Sequence, residues 1–89
     1  MKPKQMQARG RAVETRVKRL DRDPFTYEVE GEVGGAIIAR RMTIGPDRGI
    51  GAANYTQEML QRDLDTFRQG VAEEAVWRAE IAEMMDRAT

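Results

Sequence analysis

The strongest pattern in the chain is an alternation of apolar and polar residues between positions 25 and 44. Tyr27, Val29 and Val33 fall on one face of an extended strand, and Thr26 and the glutamates at 28, 30 and 32 fall on the other. A period of two is typical of a strand that is buried on one side only. Gly34 and Gly35 can adopt the positive φ angles of a two-residue hairpin turn. The pattern therefore predicts a hairpin with strands near 25–33 and 36–44.

A turn at Gly34 and Gly35 also predicts which residues face each other across the hairpin. In that register Ile38 faces Gly31, Met42 faces Tyr27 and Glu28 faces Arg41. The last pair joins opposite charges, which stabilises paired strands. A competing turn at residues 30–31 would give a different register.

The preceding segment, residues 12–20, fits two structures. Val13, Thr15 and Val17 alternate as in a strand, whereas Val13, Val17 and Leu20 match one face of a helix. We favour a strand near 12–19, because an isolated two-stranded hairpin is marginally stable and a third strand provides a usable face. Residues 1–10 are interpreted as a flexible basic arm in front of a single domain, 11–89.

From about residue 55 the chain shows the signals of a long helix. Asn54 or Thr56 can cap its start. The following apolar stripe has helical spacing and comprises Met59, Leu60, Leu64, Phe67 and Val71. The predicted fold class is therefore α+β, with a short antiparallel β-meander of two or three strands packed against a long C-terminal helix that is bent or split near Gly70.

A second apolar stripe follows Gly70 and is rotated by roughly 85° from the first. It consists of Trp77, Ile81, Met84 and Ala88, with Met85 beside it. Three short strands offer little area to cover both stripes, although a place in the chain's own core remains the alternative. We therefore take Trp77, Ile81, Met84 and Met85 as candidate partner-binding residues, since Trp and Met are suited to protein interfaces.

The composition argues against an enzyme. The 89 residues include no His, no Cys and no Ser, so the usual pairs of nucleophile and base cannot be formed. Glu80 and Glu83 share a helix face, but a pair of carboxylates needs a substrate cleft that such a small core can hardly enclose. No loop has the pattern of a calcium site. We expect no catalytic residues, no cofactor and no metal.

Charge is unevenly spread, although the formal net charge is zero. Residues 1–22 carry eight Lys or Arg against two acids, and residues 56–89 carry four Arg against eight acids. Such asymmetry indicates either complementarity within or between chains, or a basic arm for a polyanion. In the second case the nucleic-acid-binding residues would be Arg9, Arg11, Arg16, Lys18 and Arg19.

The loop around Gly49, Ile50 and Gly51 lies between a predicted strand and a predicted helix, where some proteins bind phosphate. However, the third small residue of a dinucleotide fingerprint is replaced by Asn54, and no Gly-Lys-Ser/Thr sequence follows. We interpret these glycines as turn residues.

These observations favour a non-enzymatic protein-binding regulator, inhibitor or assembly factor. Its expected partner is another protein, a second copy of itself, or both, and the alternative is a nucleic-acid-associated accessory protein. The chain shows neither an apolar leader nor an apolar run long enough to span a membrane, so a cytoplasmic location is expected. Phage-encoded inhibitors of host defence share this size and composition, and the likeness goes no further.

Overall fold

The computed structural model describes residues 2–20, 26–45 and 54–88. A four-stranded antiparallel meander is covered on one face by one long helix. The elements in chain order are β1 (Lys4–Ala8), β2 (Arg11–Arg19), β3 (Thr26–Val33), β4 (Ala36–Thr43) and α1 (Gln57–Ala88). The α+β class is confirmed. The predicted count of two or three strands is wrong, because the described residues form four.

The additional strand is β1, which lies in the segment assigned above to a basic arm. It pairs with β2 from Lys4 opposite Thr15 to Ala8 opposite Arg11. The turn between them is formed by Arg9 and Gly10, with φ of 51° and 79°. Arginine rarely adopts a positive φ, so this turn carries no clear signal in the sequence.

The predicted hairpin and its register are confirmed. Gly34 and Gly35 form the turn with φ of 59° and 80°, and the strands pair with Ile38 opposite Gly31 and Met42 opposite Tyr27. Glu28 faces Arg41, whose Nε lies 3.2 Å from the carboxylate. The competing turn at residues 30–31 is wrong, because both residues lie within β3.

The strand interpretation of residues 12–19 is also confirmed, and the helical alternative is wrong. Val13, Thr15 and Val17 of β2 are buried beneath α1, while the residues between them point to the outer face of the sheet. The alternation thus reflects burial on one side of the sheet.

Thr56 caps the start of α1. Its hydroxyl oxygen accepts a hydrogen bond from the Met59 N–H at 3.2 Å, and its carbonyl accepts one from the Leu60 N–H at 3.0 Å. The whole of α1 is 32 residues long, about 48 Å, and it runs through Gly70 without interruption. A split into two helices at Gly70 is therefore wrong, and a bend there stays a prediction.

The core has two adjoining clusters along α1. The first, beneath the N-terminal half of the helix, confirms that Leu64 and Val71 face the sheet. Leu60 and Phe67 are partly buried against it. The second cluster is built mostly from small residues, namely Ala8, Val13, Val33, Ala72, Ala75, Val76 and Ala79. Small side chains let the C-terminal half of α1 lie close to the sheet.

Tyr55 links the segment before α1 to the first turns of the helix. Its hydroxyl donates a hydrogen bond to Asp63 Oδ2 at 2.6 Å. Burial, together with this carboxylate, raises the pKa of Tyr55 to about 12. The folded state therefore favours the protonated phenol more strongly than the unfolded chain does, where the pKa is about 10.

We expect the Tyr55 contribution to stability to be complete below about pH 10 and to be lost as the pH rises towards 12. Urea midpoints measured between pH 9 and pH 12 should fall more steeply for the wild type than for Tyr55→Phe, which has no phenolic proton. In Asp63→Asn the phenol should ionise at lower pH, because the carboxylate no longer opposes its ionisation. Equal slopes for wild type and Tyr55→Phe would contradict this assignment.

Candidate protein-binding surface

The largest apolar side chains in the C-terminal half of α1 lie outside the core. Trp77 is 51% exposed, Met84 is 60% exposed and Met85 is 65% exposed, while Ile81 is half-buried. These four residues, here called the α1 stripe, follow one another at helical spacing. A shallow groove on the helix surface is lined by Trp77, Arg78, Ile81, Ala82 and Met85. Three residues of the α1 stripe, Trp77, Ile81 and Met85, therefore line one groove.

The reason for this exposure is that alanines occupy the face that meets the sheet. Ala72, Ala75 and Ala79 are at most 7% exposed, with Val76 between them. They continue the buried face of Leu64 and Val71 beyond Gly70. Trp77 lies on nearly the opposite side of the helix, since each residue turns the chain by about 100°.

The helix also extends past the end of its own core. Ala79 is the last buried residue of α1, and residues 82–88 are all exposed. At about 1.5 Å per residue, the helix runs about 13 Å beyond Ala79. Met84 and Met85 lie on this extension.

Ion pairs hold one flank of α1 to the β1–β2 hairpin. Arg9 Nη2 lies 3.0 Å from Glu80, and Arg11 Nη1 lies 3.0 Å from Glu83. Lys4 Nζ lies 3.0 Å from Asp65 further along the same flank. With this flank turned to β1 and β2, the α1 stripe is left on the other flank, towards β4 and solvent.

On the β4 side, Glu74 joins helix and sheet. Its carboxylate accepts hydrogen bonds from Arg40, including one from Nε at 3.0 Å, and lies 3.4 Å from Arg78 Nε. These bonds from Arg40 lower the pKa of Glu74. Beyond this group, towards the helix N-terminus, lies an open apolar cleft of about 420 Å³. It is lined by Met42, Thr43, Ile44, Gly45, Asp63, Thr66, Phe67 and Gly70.

Three of the five candidate nucleic-acid residues are paired with acids of the chain. Arg9 and Arg11 are engaged by Glu80 and Glu83, and Arg16 Nη2 lies 3.0 Å from Glu14. Lys18 and Arg19 are exposed at the far end of β2. Three of the eight bases in residues 1–22, namely Lys4, Arg9 and Arg11, thus pair with acids of the helix in the described part of the chain.

The sequence offered two other candidate sites, a pair of carboxylates on the helix and the glycine loop. Glu80 and Glu83 each pair with an arginine, as described above. Within residues 2–20, 26–45 and 54–88, no group of three or more His, Cys, Asp or Glu could hold a metal ion. The glycine loop at residues 49–51 lies outside the described residues.

Arg68 is a feature that the sequence did not reveal. It is 3% exposed, and its Nη1 donates to the Thr15 hydroxyl at 3.1 Å and to the Thr15 carbonyl at 3.3 Å. Nη2 donates to the Lys2 carbonyl at 3.4 Å, and the buried Nε has no partner among the described residues. Burial lowers the pKa of Arg68. Its contacts tie α1 to β2 and to the start of the chain.

No family model, curated protein or solved structure matches the chain. In the part of the chain that the structure describes, no helix is long and apolar enough to cross a membrane.

Proposed function

We propose that this protein is a non-enzymatic protein-binding regulator, inhibitor or assembly factor that docks its partner on the α1 stripe. The observation that carries the proposal is the exposure of Trp77, Met84 and Met85 beside the half-buried Ile81. Scattered apolar residues are normal on protein surfaces, whereas a contiguous row of large ones is typical of a binding site.

The residue types suit this role. Tryptophan is enriched among the few interface residues that contribute most of the binding energy. Methionine is flexible and polarisable, so it adapts to an irregular partner surface. Complete burial of an exposed apolar side chain contributes about 1.5–3 kcal/mol, and each side chain of the α1 stripe contributes less than this because it is already partly covered in the free protein.

The spacing indicates what the partner presents. Trp77, Ile81 and Met84 are separated by four and three residues, which is the arrangement of a helix that lays one face into an apolar groove. Arg78 and Glu74 border the row, which matches the polar rim of an interface. The complementary partner surface is a hydrophobic groove about two and a half helical turns long, since the α1 stripe runs from Trp77 to Met85.

The proposal is tested by comparing two aspartate variants in a capture experiment. An N-terminal tag keeps the C-terminal helix free, and proteins retained from the native cell are identified by mass spectrometry. We expect Ile81→Asp to lose the specific partner, because a charge in the centre of the α1 stripe would have to be desolvated. Trp77→Ala should weaken retention at least tenfold.

Arg62→Asp is the matched control, because it places the same residue at an exposed position on the first half of the same helix. It should retain the partner as the wild type does. A partner retained equally by wild type, Ile81→Asp and Trp77→Ala would contradict binding through the α1 stripe.

A further inference from the structure

We infer that β4 is a self-association edge, through which two copies of the chain pair their β4 strands antiparallel about a two-fold axis at Ala39. The inference concerns the sheet edge and is separate from the proposed partner on the α1 stripe. It follows from three properties of β4, namely its open backbone, its exposed apolar residues and its charge pattern.

The two edges of the sheet differ in length, since β1 has five residues and β4 has eight. At the β1 edge, the Gln7 carbonyl accepts a hydrogen bond from Gln69 Nε2 at 2.8 Å, and Lys4 and Arg9 bind acids of α1. At the β4 edge, Arg40 binds Glu74 of α1. Along β4, the eight residues Ala36–Thr43 form the other edge, and no described strand pairs with their outer side.

The hairpin turn determines which groups of β4 point outward. Val33 and Ala36 close a two-residue turn, so they form a hydrogen-bonded pair, and alternate residues after Ala36 direct their N–H and C=O away from β3. The outward residues are Ile37, Ala39, Arg41 and Thr43. The Ala39 carbonyl indeed accepts a hydrogen bond from Arg40 Nη1 at 2.8 Å on this side, and it keeps a second lone pair.

Charge and length select one register for a symmetric pair. An axis at Arg40 or Arg41 would place identical arginines opposite each other, which is destabilising. An axis at Ile38 would pair only residues 36–40. An axis at Ala39 pairs residues 36–42 of each strand, forms about six backbone hydrogen bonds and places no two arginines directly opposite each other.

The same register covers the exposed apolar residues of β4. Ile37 is 60% exposed and Met42 is 40% exposed. With the axis at Ala39, Ile37 packs beside the stem of the partner's Arg41, and Met42 packs beside the partner's Ala36. The small side chain at the axis lets the two backbones approach.

The pairing leaves the α1 stripe accessible. Strands are about 4.8 Å apart and α1 lies over the middle of its sheet, so the two helices in the dimer are about 20 Å apart. Helices in direct contact are about 8–10 Å apart. The helices therefore border a trough above the paired β4 strands, and Trp77, on the side of α1 that faces away from the sheet, stays accessible.

Disulfide trapping tests the register directly, because the chain has no cysteine of its own. In Ala39→Cys the two introduced thiols lie in directly opposed residues, with Cα atoms about 5.5 Å apart, which a disulfide can bridge. We expect mild oxidation to convert most of this variant to a covalent dimer on a non-reducing gel.

Two matched single variants distinguish this edge from its alternatives. In Ile37→Cys, on the same face of the same strand, the introduced thiols are about 14 Å apart and should cross-link at least tenfold more slowly. Gln5→Cys, at an exposed position of β1, should behave the same way. Faster cross-linking of either variant than of Ala39→Cys would overturn the assigned axis.

Sedimentation supplies a test without cysteine. The wild type should be dimeric at high micromolar concentration. Ala39→Pro, which removes an outward N–H and leaves the β3–β4 hydrogen bonds in place, should be monomeric. The dissociation constant of the Ile37→Lys dimer should be about 2- to 30-fold higher than that of the Ile37→Glu dimer. Residue 37 lies opposite the partner's Arg41 at two places in the dimer, and Arg41 repels a lysine there but attracts a glutamate.

A wild-type monomer at about 200 μM would overturn the self-association edge, as would equal dissociation constants for Ile37→Lys and Ile37→Glu. Failure here is distinguishable from failure of the proposed function. Ala39→Pro should still capture the partner of the α1 stripe, and Ile81→Asp should still dimerise.

Discussion

Gly31→Leu is expected to lower the free energy of unfolding by about 3 kcal/mol or more. Gly31 lies in β3 directly beneath α1, and a Cβ at this position would be 3.0 Å from Val71 Cγ1 and 3.6 Å from the Ala75 Cβ. A leucine adds four carbon atoms where one hardly fits, so the helix must move off the sheet. Overpacking of this kind costs about 1–3 kcal/mol or more, which is a large part of the stability of a small domain.

Smaller substitutions separate the steric clash from other effects. Gly31→Ala should be mildly destabilising in urea unfolding. The double variant Gly31→Ala, Val71→Ala should cost less than the sum of the two single changes, because Val71→Ala removes the methyl group with which the new Cβ clashes. Gly70→Ala is the control, since a Cβ there meets no atom within 4 Å. It should stabilise the helix by up to about 1 kcal/mol. A Gly31→Leu protein as stable as the wild type would contradict the close packing of α1 on β3.

Ala79→Asp and Ile81→Asp are expected to differ strongly in folding stability, although they are two residues apart in one helix. Ala79 is 7% exposed and packs with Ala8, Val13 and Val33, so an aspartate there buries an unpaired charge. Such a change costs about 3 kcal/mol or more. Ile81 is half-buried at the helix surface, so its aspartate stays hydrated and should cost about 1 kcal/mol or less.

Urea unfolding followed by circular dichroism measures both variants under identical conditions. Helix propensity adds about 0.5 kcal/mol or less to the cost of Ala79→Asp relative to Ile81→Asp, because alanine is the better helix former, so most of a difference of about 2 kcal/mol in the free energy of unfolding reports burial. If Ile81→Asp unfolded the protein as readily as Ala79→Asp, the α1 stripe would belong to the core.

The sheet could be predicted from the sequence where its pattern was strong. The alternation from Tyr27 to Val33 and the paired glycines determine the central hairpin and its register, because each apolar position must face the one buried side. β1 was not predicted, because Met6 is its only large apolar residue and the turn that joins it to β2 contains Arg9 at a positive φ. Its stability comes from pairing with β2 and from contacts with α1, which are not local in sequence.

The buried face of the helix, too, could be predicted only in part. The large residues Leu64 and Val71 marked the face that meets the sheet, whereas its continuation through Ala72, Ala75 and Ala79 is less conspicuous, because alanine contributes little to an apolar stripe. The second stripe was therefore visible only as a change of phase. The burial of Arg68 could not be predicted, since its acceptors on Thr15 and Lys2 are supplied by distant parts of the chain.

The most direct test of the exposed α1 stripe is the fluorescence of Trp77, the only tryptophan in the chain. It should be measured in Ala39→Pro at low micromolar concentration, with sedimentation confirming a folded monomer. We expect red-shifted emission that acrylamide quenches readily, because half of the side chain is in contact with water. Blue-shifted emission that is protected from acrylamide in this monomer would place Trp77 in the core and contradict the proposed binding surface.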